Sequence, residues 1–130
     1  MKNLKTTSED GQNTSGGQDT EGRIQQECVM WLWNSHPETR GLLCYNLSNS
    51  KNKIDGALNK AKGLIKGRSD LTFYWNKTAY FIEMKTEKGT QEPEQKIFQA
   101  TVEKAGYKYV ICRSLDDFKK VINLILTLNK

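Results

Sequence analysis

The sequence predicts an α/β fold in which a mixed β-sheet is flanked by α-helices. Three observations predict it. Amphipathic helical stripes alternate with short β-rich runs along the chain. The two apolar runs Leu71 to Trp75 and Ala79 to Lys85 are separated by Asn76-Lys77, a dipeptide suited to a tight hairpin turn. Beyond that hairpin, Pro93, Gly106 and Ser114 punctuate a helix, a strand and a closing helix.

In chain order, residues 1–19 are dominated by Ser, Thr, Gly, Asn, Gln and Asp, which leaves almost nothing to bury, and they are expected to form a disordered arm. The rest, 20–130, is long enough for one domain with a real core but not for two. Thr20 is placed to cap a helix running from Glu21 to Ser35, whose apolar stripe is Ile24, Cys28, Trp31 and Leu32; Pro37 follows its end. Leu42 to Leu47 reads as a strand and Ile54 to Ala61 as a short helix, with Gly67 allowing a sharp entry into Asp70 and the hairpin. Pro93 suits the first turn of a helix that Gly106 stops after Ala105, and Gln95, Phe98, Val102 and Ala105 share one stripe. Tyr107 to Arg113 is the last strand. Ser114 with Asp117 resembles a capping box for a helix over Leu115 to Leu128, whose buried face is Phe118, Val121, Ile122, Ile125 and Leu128.

Composition narrows the function classes. Cys28, Cys44 and Cys112 lie far apart inside apolar segments, without metal-ligand spacing, and read as buried thiols of a reducing compartment. With His36 as the single histidine, neither a zinc set nor a Cys-His nucleophile pair is predicted. No apolar signal core follows the early lysines, and no run has the length of a membrane span, so a cytoplasmic or intracellular setting is expected.

The charge of +5 is localised. Between Lys51 and Arg68 there are six basic residues (Lys51, Lys53, Lys60, Lys62, Lys66, Arg68) and one acid, Asp55; the 20 basic and 15 acidic residues of the whole chain therefore leave 14 of each elsewhere. All the excess sits just ahead of Asp70. A basic stretch beside carboxylates suits a nucleic-acid partner, since cationic side chains contact phosphates. A lysine-rich solvated surface has the same composition.

The candidate site follows from strand periodicity. Glu83 and Lys85 point to the same face of their strand, and Asp70 opens the partner strand near its end. Two carboxylates beside an ammonium suit a hard divalent cation such as Mg²⁺, which polarises a water and neutralises charge on a phosphate. The bare D…ExK spacing more often describes an exposed ion pair on a hairpin. By residues alone the chain is a metal-binding α/β domain directed at nucleic acid.

The series Gly67, Asp70, Glu83-Met84-Lys85, Gly89 and Gln95, preceded by the helix bearing Glu21, resembles the PD-(D/E)XK nuclease core, and within it the VRR-NUC family of virus-type replication and repair nucleases. The resemblance covers Glu21 to about Val121. Ser69 stands where a proline commonly precedes the aspartate in that family, and the basic segment has no family pattern to match. The resemblance implies a Mg²⁺-dependent DNA endonuclease, with Mn²⁺ able to substitute, whose metal ligands are Asp70, Glu83 and the Met84 carbonyl. It implies that Lys85 assists the attacking water, Glu21 completes the outer metal shell and Gln95 braces Lys85 or a phosphate. Lys51, Lys53, Lys60, Lys62, Lys66, Arg68 and Lys88 are the candidate DNA contacts. Stand-alone members resemble Holliday-junction resolvases, so the resemblance implies a homodimer acting on branched DNA in replication, repair or recombination, inside a cell, a virus-encoded protein acting in its host included. Trp33, off the stripe of Trp31, is the candidate interface residue. A restriction-like nuclease and a nuclease-like module that binds without cutting are the alternatives.

Overall fold

The computed structural model describes residues 20–46 and 53–128. The expected arm over 1–19 and the candidate contact Lys51 lie outside the described residues, and for Lys53 only the backbone is described. The elements are α1 (Thr20–Ser35), β1 (Leu43–Tyr45), α2 (Lys53–Ala61), β2 (Leu71–Trp75), β3 (Thr78–Met84), α3 (Pro93–Lys104), β4 (Lys108–Cys112) and α4 (Leu115–Leu128), with a 3-10 turn at Pro37–Thr39.

The four strands lie in the order β1-β2-β3-β4. The first three are antiparallel neighbours, and β4 joins β3 in parallel after the α3 crossover. The sheet is therefore mixed, as expected. Asn76 and Lys77 both have positive φ, 52° and 68°, the backbone of a two-residue turn whose twist matches the strands it joins. This turn sets the register Trp75↔Thr78 through Leu71↔Ile82, so β3 starts one residue earlier than the apolar pattern indicates.

Strand alternation then sorts the residues onto two faces. Leu71 and Phe73 of β2, Ile82 and Met84 of β3 and Cys112 of β4 pack with Cys28 and Leu32 of α1 and Phe118, Ile122 and Ile125 of α4 into the principal core. Trp31 meets Phe118 edge-on at 6.0 Å. On the opposite face Phe81, Phe98 and Tyr109 hold α3 against the sheet, with Phe81 edge-on to Phe98 at 5.4 Å.

One expectation is revised: the first strand is Leu43–Tyr45, shorter than the sequence indicates, and Leu47 lies outside the described residues. Asn46 follows the strand, its N–H donating to the Asp70 carbonyl at 2.7 Å and its Nδ2 to Thr72 Oγ1 at 2.7 Å. Trp33, the candidate interface residue, lies outside the principal core. It is half-buried, with the Arg40 guanidinium 4.9 Å from its ring centroid and Arg40 Nε donating to the Trp33 carbonyl at 2.8 Å.

Candidate active site

The hairpin brings Asp70 and Glu83 together. Asp70 lies immediately before β2, and its Oδ2 accepts the Met84 backbone N–H at 2.7 Å, which fixes the carboxylate at the end of β3. Gly67 makes that approach achievable. Its φ of +83° is unfavourable for side-chain-bearing residues, and a Cβ there would fall on the carbonyl carbon and oxygen of Glu94 at the start of α3. The loop carrying Asp70 is thus packed directly on the helix carrying Gln95.

Glu83 is 2 % exposed and Lys85 6 %, so both charges are buried in the α3 face of the sheet. Lys85 Nζ lies 3.9 Å from Glu83 Oε2, and the Lys85 N–H continues the β4 pairing by donating to the Cys112 carbonyl at 3.0 Å. This burial excludes the exposed-pair reading of the ExK stretch.

Gln95 is oriented by its own helix. Its Oε1 accepts the Glu92 N–H at 2.8 Å, which leaves the amide's donor end to bond Glu83 Oε2 at 2.8 Å. Of the two expected partners, Lys85 or a phosphate, Lys85 is not the group that Gln95 bonds in this structure; its amide nitrogen donates to Glu83. The second oxygen of Glu83, Oε1, accepts the Tyr109 hydroxyl at 3.4 Å.

Burial, and then the neighbouring Asp70 charge, push the Glu83 carboxyl up from 4.5 to about 8, with Lys85 and the Tyr109 hydrogen bond opposing them. Burial also raises Asp70, against the lowering effects of the Met84 N–H, Glu83 and Lys85. Glu83 thus resists ionisation through burial and through the Asp70 charge, the electrostatic condition a bound cation relieves.

The site opens into a cleft of about 430 Å³ lined by Asp70 and Gln95 together with Lys60, Lys66, Arg68 and Glu94. Lys66 forms an exposed ion pair with Glu94 at 3.6 Å, and Arg68 Nε is buried without a hydrogen-bond partner. Lys62 and Lys88 are exposed outside the cleft lining. A larger cleft, about 570 Å³, lies at the turn end of the hairpin among Tyr74, Trp75, Lys77 and Tyr107. It contains no acidic side chain and is remote from the carboxylates, so the chemistry is assigned to the smaller cleft.

Glu21 is exposed in the first turn of α1, and none of the described hydrogen bonds or ion pairs joins it to Asp70 or Glu83. Among the described residues, no three His, Cys, Asp or Glu side chains converge in an arrangement able to hold a metal. The site has a carboxylate pair, not a triad.

Two contributors are absent from the sequence reading. Tyr109 faces Glu83 because β4 alternates in register with β3, Phe81↔Tyr109 and Glu83↔Ile111; the alternation within Tyr107 to Arg113 contained that signal once the parallel pairing was known. Arg113 bonds the carbonyls of Thr86, Glu87 and Gly89 at 2.8, 3.3 and 2.6 Å, holding the loop that follows Lys85. No local pattern indicates that contact.

A solved structure of a VRR_NUC domain protein superposes with a TM-score of 0.72 at 22 % identity, covering 85 % of this chain and 91 % of that one, and so shares the fold. No curated protein matches the chain. The VRR-NUC domain matches residues 19–116, a span that contains α1, the hairpin with Asp70, Glu83 and Lys85, and Gln95 on α3. The chain therefore belongs to the VRR-NUC family and has its α/β nuclease core.

Proposed function

We propose that the protein is a Mg²⁺-dependent DNA endonuclease that hydrolyses phosphodiester bonds, selects branched DNA and works as a homodimer. The observation that carries this reading is the pairing of Asp70 with Glu83, beside buried Lys85, at a cleft lined by Lys60, Lys66 and Arg68.

The donor set fits Mg²⁺. Two carboxylates supply hard oxygens, each oxygen keeps a lone pair beyond its present hydrogen bond, and Mg²⁺ takes water for the rest of its shell. Asp70, Glu83 and the Met84 carbonyl would hold the ion, with Glu21 reaching its outer shell through water; Mn²⁺ would serve in its place. When bound, the ion supplies a polarised water and neutralises charge developing on the phosphate. Lys85 orients the attacking water and keeps it beside the carboxylates. Gln95 holds Glu83 by a fixed amide, so the carboxylate need not reorganise during the reaction. Lys60, Lys62, Lys66, Arg68 and Lys88 bind the phosphate backbone, with Lys60, Lys66 and Arg68 at the cleft itself.

Dimerisation and branch selectivity belong together. One carboxylate pair cuts one strand, and a C₂ dimer presents two such pairs to a symmetric junction.

The test uses the full chain with plasmid, linear duplex and four-way-junction DNA, with and without Mg²⁺ or Mn²⁺. Cleavage is expected with metal and abolished in Asp70→Asn and Glu83→Gln, with DNA binding retained. Full cleavage by either variant removes the site, and DNA binding without any cleavage by the wild type favours a binding module. Light scattering at micromolar concentration reports the dimer.

A further inference from the structure

Glu83 is the most confined group in the site, and one of its two anchors has no counterpart in the motif residues. Its Oε2 is held by Gln95, while Oε1 receives the hydroxyl of Tyr109 from the neighbouring strand. That hydroxyl does not stand alone. Gln91 Nε2 donates to Tyr109 Oη at 3.2 Å and to Gln99 Oε1 at 2.9 Å, and Gln99 Nε2 donates to Glu103 Oε2 at 3.2 Å.

The direction of every bond in this series is determined by its outer end. The Glu103 carboxylate can only accept, so the Gln99 amide must turn its nitrogen to it and its oxygen to Gln91. Gln91 then presents its nitrogen to both Gln99 and Tyr109. Receiving a hydrogen bond from Gln91, the Tyr109 hydroxyl keeps its own proton for Glu83.

We propose that Tyr109 is a positioning residue that fixes the Glu83 carboxylate for the metal, and that Gln91 sets the direction in which the Tyr109 hydroxyl donates. This rests on the reading of Glu83 as a metal ligand. With Gln95 and Tyr109 on separate oxygens, the carboxylate plane is fixed from two sides, and rotation about its terminal bond would break one bond or the other. The remaining lone pairs are then presented toward Asp70. The anchors come from different elements, α3 and β4, so the orientation of Glu83 depends on the crossover and not on the hairpin alone.

The test separates the hydroxyl's direction from the ring's packing. Tyr109→Phe keeps the ring that packs on Phe98 and removes only the donor. Gln91→Glu keeps Tyr109 and nearly the same side-chain shape but offers an acceptor, drawing the hydroxyl proton away from Glu83. Both are expected to weaken Mn²⁺ binding, measured by calorimetry without DNA, and to lower kcat by about 10- to 100-fold, the usual cost of losing a partner that orients a ligand. KM for DNA should be unchanged. Gln91→Leu, which offers no acceptor, should lose less than Gln91→Glu. Wild-type Mn²⁺ affinity and kcat in Tyr109→Phe would overturn the proposal, as would equal losses in Gln91→Glu and Gln91→Leu. If wild-type protein binds Mn²⁺ and cuts while these variants match it, the positioning role alone fails. If wild-type protein binds no Mn²⁺, the metal reading fails and this role falls with it.

Discussion

The two faces of β3 differ in what burial does. Ile82 and Met84 face α1 and α4, where removing apolar surface from water stabilises the fold without any need for a specific partner. Glu83 and Lys85 face α3 and are buried almost as completely, but there burial is unfavourable to each charge and must be offset by hydrogen bonds and by opposite charge. A single strand thus alternates between a face that holds the molecule together and a face kept polar at a cost. The lesson is that burial alone does not mark a core, because the residue type on each side decides whether it contributes to stability or to chemistry.

Substitutions on the two faces should therefore separate rate from stability. Next to the abolished cleavage expected of Glu83→Gln, the largest effect is at Lys85: Lys85→Ala should slow cleavage by about 10² to 10⁴, the scale of a lost positioning or proton-transfer group, with the circular dichroism spectrum unchanged. On the other face, Phe118→Ala should lower unfolding free energy by about 3–5 kcal/mol, seen in denaturant titration, while activity per folded molecule persists.

The polar face also predicts an unusual pH response in metal-free protein. The folded state holds the Glu83 proton up to about 8 whereas the unfolded chain releases it near 4.5, so the native state is progressively disfavoured as pH rises through that window. Melting temperature should fall between those two values, and Glu83→Gln should flatten the decline. A wild-type melting temperature rising across the window would contradict the buried-charge account. The smallest effect lies away from both faces, in the turn. Lys77 adopts a left-handed conformation at φ 68°, and Lys77→Gly should stabilise the hairpin by up to about 1 kcal/mol in thermal unfolding.

Much of this was legible in the sequence because it is local. The strand β2 and helix α4 have the boundaries that the apolar pattern predicts, since both are flanked by strong punctuation: Trp75 by the Asn76-Lys77 turn, and Leu115 by Ser114, whose Oγ accepts the Asp117 N–H at 3.1 Å. The juxtaposition of Asp70 with Glu83 also follows from period-two alternation and a two-residue turn. Register between distant strands was not legible. The parallel pairing of β4 with β3 places Tyr109 by Glu83, and Arg113 reaches a loop 24 to 27 residues away along the chain. The partner of Gln95 was missed for another reason: an inward-facing amide is evident from helical spacing, but its bonding partner depends on which amide end the helix cap engages.

The mixed sheet has a consequence for how the site comes into being. Asp70 and Glu83 belong to one hairpin, a local structure whose formation takes on the order of 1–10 μs, whereas Tyr109 arrives only when α3 has crossed over and β4 has docked. The carboxylate pair is thus encoded within a short stretch of chain, whereas both anchors of Glu83, Gln95 on α3 and Tyr109 on β4, come from beyond the hairpin. Any change that loosens the docking of β4 on β3 would therefore reach Glu83 without touching the hairpin that carries it, and the last strand of the sheet completes the site as well as the fold.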